Sequence, residues 1–145
     1  MRARLLISVL MVGLASQVES ATQITMSDMS TTCLTGVDLN SPNTDFVMSM
    51  SYPSYIARRV TITKASTSLA GSPVTFGLFS QPAGGGVAAI PLTAITGLNS
   101  TTRFIDVSLS AFTVVASLPN VYFRVGAAHG SPATLTVCLE VTPIP

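Results

Sequence analysis

Charge is what this chain of 145 residues has least of: Asp, Glu, Lys and Arg make up 9% of it. An ordinary soluble domain carries roughly 25%. Seven basic and six acidic side chains leave a net charge of +1. That balance provides no basic stripe to neutralise phosphates and argues against nucleic acid as a partner. Tryptophan is missing, and histidine and lysine occur once each, at His129 and Lys64. There is no Cys-x-x-Cys or His-x-x-x-His pair, which removes the usual zinc arrangements. A Gly-x-Ser-x-Gly elbow is also missing, so His129 and Ser131 have no partners of a hydrolase triad near them in sequence. His129 reads as an exposed turn histidine, and no catalytic residue is assigned.

Long apolar runs are equally scarce. The one present, Leu5 to Ala15, has 11 residues, well short of the roughly 20 that span a bilayer. It follows Arg2 and Arg4 and precedes a polar segment with Val18 and Ser20 at small-residue positions. This predicts a secretory signal over residues 1–20 cut before Ala21, the alternative being a retained anchor or a buried helix. Cleavage removes Arg2, Arg4 and Glu19. Five basic and five acidic residues then remain, so the net charge of 21–145 is zero. Serine and threonine, 36 residues together, supply the polarity instead. A neutral, sparsely charged surface favours association over colloidal solubility.

What is abundant is apolar residues, 48% of the chain, enough for a core and too many for a disordered chain. They alternate with a period of two. The runs are Phe46 to Tyr52, Val60 to Thr63, Val74 to Phe79, Ile105 to Ser110, Val121 to Gly126 and Leu135 to Thr142. Each reads as a strand with one face on a core. Gly, Pro, Asn and Ser clusters punctuate them at short intervals. No helical period and no crossover helix are apparent, so the pairing is antiparallel. About eight strands of this length predict an all-β, two-sheet, jelly-roll-like sandwich over 21–145 as a single domain.

Several residues carry candidate chemistry. Cys33 and Cys138, in an exported chain, predict one disulfide. It would close 104 intervening residues, worth about 4.7 kcal/mol by loop-closure entropy. Cys138 is out of phase with Leu135, Val137, Leu139 and Val141, so the bridge should lie on the outer face and join neighbouring first and last strands. Asp38, Asn40, Asn43 and Asp45 place four oxygen-bearing side chains in one stretch, a candidate calcium loop; the alternative is a set of Asx turns. Tyr52 and Tyr55 flank Pro53 in a presumed loop and are candidates for stacking on a sugar ring. Gly84-Gly85-Gly86 precedes a strand and lacks a following Lys, so it reads as a hairpin connection rather than a phosphate loop. Arg58 and Arg59 are expected to point to opposite faces. Asn99-Ser100-Thr101 fits a glycosylation sequon. Thr22 to Ser30 offers a strand that could add to a neighbour's sheet edge.

The runs Arg59 to Ser66 and Val74 to Ser80 with Gly84-Gly85-Gly86, then Val121-Tyr122-Phe123-Arg124-Val125 and Ala128 to Thr134, resemble small β-sandwich accessory and decoration proteins of tailed-phage virions. The resemblance covers about residues 56–142. It implies a virion-surface role without catalysis and transfers no functional residue. The expectation is therefore an exported, non-enzymatic assembly protein, a subunit or decoration of a surface layer, appendage or virion shell, acting by self-association or on other structural proteins. The alternative is a secreted glycan- or protein-binding, adhesin-like module using the 38–45 loop or the tyrosines. No cofactor is expected beyond the candidate calcium, and no membrane span after signal cleavage.

Overall fold

The computed structural model describes residues 29–72, 74–99, 101–112 and 116–145. The signal segment and most of Thr22 to Ser30 lie outside the described residues. Eight strands follow one another: β1 (Ser30–Asp38), β2 (Thr44–Ser49), β3 (Ser54–Thr63), β4 (Val74–Phe79), β5 (Ala88–Ile95), β6 (Phe104–Val107), β7 (Asn120–Ala127) and β8 (Thr134–Ile144). One 3-10 turn, Pro82–Gly84, joins β4 to β5. The strands form two antiparallel four-stranded sheets, ordered β1-β8-β3-β6 and β2-β7-β4-β5. Successive strands alternate between the sheets except at β4 and β5. Alternation and turn spacing predicted the two-sheet, jelly-roll-like sandwich; the strand order, which they left open, is that of an eight-stranded jelly roll.

Alternation decides which side chains meet. Leu135, Val137, Leu139 and Val141 of β8 face Val121, Phe123 and Val125 of β7 across the sandwich, all buried in one continuous core. Phe76 and Phe123 stack within it at a centroid distance of 5.2 Å. Burying a side chain of this size contributes about 1.5–3 kcal/mol. Leu39, Leu69 and Leu98, from the connections, close the ends of the core.

Two departures from strict alternation shape the surface. In β3, Ala57 pairs with Val141 but Arg59 pairs with Glu140, so Arg58 is an inserted residue. This bulge shifts the inward positions from Tyr55 and Ala57 to Val60 and Ile62. Arg58 and Arg59 are consequently both exposed on the outer face, which corrects the expectation that they point to opposite faces; a bulge re-aims one side chain. In β5, Pro91 and Leu92 lie where the register with β4 slips between Phe76 and Leu78. Proline lacks the N–H that a central strand needs, and β5 is an edge strand where that loss is tolerated.

Candidate functional site

The disulfide joins Cys33 to Cys138 at directly opposed positions of β1 and β8, with Cα atoms 4.1 Å apart. Cys33 is exposed and Cys138 half-buried. The bridge thus staples the first described strand to the last on the outer face, as the phase of β8 required. A disulfide of this kind fits a periplasmic or extracellular protein. No helix among the described residues is long and apolar enough to cross a membrane.

The 38–45 stretch does not gather its oxygens toward one point. Asp38 accepts hydrogen bonds from the Asn40 N–H and the Ser41 hydroxyl, both at 2.8 Å, which together hold its carboxyl below the usual aspartate range. Asn40 Oδ1 accepts from the Gly130 N–H at 3.1 Å. Asn43, at φ 58°, accepts from Arg124 at 3.3 Å. Asp45 pairs with Arg124 at 2.9 Å and accepts the Ala83 N–H at 2.6 Å. Asp38 and Asn40 therefore serve local turns, while Asn43 and Asp45 share the Arg124 guanidinium, and Asp45 is already neutralised by that cation. Its pair with Arg124 is largely enclosed, with side chains 14% and 17% exposed, and pins the turn after β4 to β2 and β7.

Tyr55 is fully buried in the core at the start of β3, so no sugar ring reaches it. This corrects its reading as a loop aromatic: Ser54 begins a strand immediately after Pro53, and Tyr55 takes the first inward position. Its hydroxyl has no hydrogen-bond partner among the described residues, and burial pushes the phenol up to about 12. Tyr52 is half-buried and packs against the core. His129 is buried rather than exposed. Its backbone N–H donates to Leu39 O, and Nδ1 lies 3.0 Å from the Ser131 hydroxyl. The imidazole is thus a fastener of the turn before β8. Asn99 folds its own carboxamide back onto the Thr101 and Thr102 N–H groups, both at 2.8 Å.

The two outer faces differ sharply in charge. On β1-β8-β3-β6, Arg59 meets Glu140 at 2.8 Å and Asp106 at 3.6 Å, while Arg58 donates to Thr142 at 2.9 Å. The strands β2, β7, β4 and β5 carry no charge besides Asp45 and Arg124, which neutralise each other. Across that face the register aligns Val47, Tyr122, Phe79 and Ala88 in one row. Val47 is 48% exposed, and Leu92, on the same sheet, 52%. Leu92 lies over Gly126, where an added Cβ would stand 3.0 Å from Leu92 Cδ2.

A cleft of about 570 Å³ opens at one end of the β3–β6 pair, lined by Thr63, Lys64, Ala65, Leu98, Asn99, Thr102, Arg103 and Phe104. Sequence reasoning missed it. Its two sides are more than thirty residues apart, and only the β3–β6 register joins them.

Fold and surface together define a disulfide-stapled jelly roll with the staple on its polar face and a nearly uncharged, partly apolar face opposite. Comparison with known protein families finds no match to the chain, and comparison with curated proteins finds none either.

Proposed function

We propose that this protein is an exported subunit that works by contact rather than catalysis, building or decorating a surface layer, appendage or virion shell by packing against copies of itself. The observation that carries this reading is the outer face of β2-β7-β4-β5. It combines exposed Val47 and Leu92 with half-buried Tyr122 and Ala88, which flank a buried Phe79, and an internally neutralised ion pair. Such a face has no net charge to repel an identical one, and its apolar atoms gain about 25 cal/mol for each Å² covered. A twofold arrangement would set the same patch against itself. Jelly rolls serve in viral shells and in lectins, which is a likeness of architecture and not of function.

Lysine placed on the face tests the reading. Val47→Lys and Leu92→Lys should each leave the thermal midpoint nearly unchanged, because both side chains are about half exposed, and should abolish higher-order species in size-exclusion chromatography. Assembly surviving both substitutions would remove this face from the account.

A further inference from the structure

We propose that the cleft at the end of the β3–β6 pair binds an anionic sugar, a ring bearing a carboxylate or a sulfate ester. The register places its charges. Thr63 pairs with Phe104 as the last rung of the ladder, and the next residues outward, Lys64 and Arg103, both line the cleft beyond it. Like charges brought close together repel. Among the described residues no carboxylate lies within ion-pair distance of either one, and no acidic residue lines the cleft. The described carboxylates are used elsewhere: Asp45 by Arg124, Asp106 and Glu140 by Arg59, and Asp38 by its own turn. Both cations are exposed on the cleft with no described carboxylate beside them, and so offer their charge to an anion.

Two further observations point the same way. Lys64 is held at φ 55°, a backbone conformation that Gly and Asn adopt more readily than Lys. A lysine at that position is therefore explained by its side chain and not by the turn. Phe104 is 60% exposed beside the cations, on a four-residue edge strand. An exposed ring beside paired cations suits a ligand with both an apolar face and an acid group, and Thr63 and Thr102 add hydroxyls for its oxygens. The cleft volume falls within the range of roughly 300–1,000 Å³ of small-ligand sites. The ligand-binding alternative thus moves from the tyrosines to this cleft, and it stands independently of the assembly reading.

The test is calorimetric titration of the purified full chain with an oligogalacturonate, a heparin-derived oligosaccharide, an uncharged oligosaccharide of equal length and inorganic sulfate. At least one acidic oligosaccharide should bind, more weakly as salt rises. Whether the uronate or the sulfated sugar binds better identifies the source of the anion, and either result supports the proposal. Lys64→Asn and Arg103→Gln should each weaken binding by about tenfold or more, the scale of a lost charge-assisted hydrogen bond. Lys64→Asn should also keep or raise the thermal midpoint, which separates a ligand role from a structural one. Phe104→Ala should weaken oligosaccharide binding alone, and Arg58→Gln should leave binding unchanged. The proposal is overturned by no binding of either acidic sugar, by equal affinity for the uncharged sugar or for sulfate, by undiminished binding in Lys64→Asn, or by an equal loss in Arg58→Gln.

Discussion

Replacing both bridge cysteines, as Cys33→Ala with Cys138→Ala, isolates what the disulfide contributes to the whole chain. Cys33 is exposed and Cys138 only half-buried, so little packing is lost and the entropy of the unfolded chain dominates. The bridge spans a sequence separation of 105, for which loop-closure entropy gives about 4.7 kcal/mol. Against a typical stability of about 5–15 kcal/mol, that is a third or more. For a chain of this size 1 kcal/mol moves the midpoint by about 4 °C, so the expected fall is about 15–20 °C. Urea unfolding should show the same loss with a larger m-value, because an uncrosslinked unfolded chain exposes more surface. β1 has β8 as its only neighbour in its sheet. A loss below about 1 kcal/mol, with faster amide exchange confined to residues 30–38, would mean that the bridge merely pins an edge strand. That outcome would refute the reasoning.

Two other expectations concern the core. Tyr55→Phe removes a buried hydroxyl with no hydrogen-bond partner among the described residues and should stabilise the fold by about 1 kcal/mol in urea unfolding. The native phenol titrates near 12, above its ordinary value of 10.0, so the folded state holds its proton longer than the unfolded one. Its contribution is then complete below pH 10 and lost as pH rises through about 12; melts across that window should show a slope that Tyr55→Phe lacks. Gly77→Ala would set a Cβ 2.9 Å from the Ile90 carbonyl oxygen and 2.6 Å from the Phe79 ring. The ring is buried and the carbonyl belongs to the sheet, so a destabilisation of about 1–3 kcal/mol is expected in thermal melts.

How far the sequence was readable follows from where its period held. The apolar inward positions of β4, β7 and β8 keep a period of two in the sequence and were legible, and the phase of Cys138 in β8 also placed the disulfide on the outer face. β5 was legible only as a strand of unstated length after Gly86, because Pro91 interrupts a strand that tolerates it only at an edge bulge. The start of β3 was hidden by Pro53, which made a core tyrosine look like a loop aromatic. The Arg58 insertion had no local signature, since a bulge is set by the partner strand. Asp38, Asn40, Asn43 and Asp45 looked like one cluster when they divide between their own turns and the Arg124 guanidinium. The Lys64–Arg103 pair stayed hidden for the opposite reason: two unremarkable residues become neighbours only when β3 and β6 pair.

Sedimentation equilibrium of the disulfide-intact chain, from micromolar to millimolar concentration, tests the central claim most directly. The account predicts a weight-average mass that climbs with concentration and returns to that of one chain in Val47→Lys. A wild-type chain that remains a monomer at millimolar concentration would contradict it.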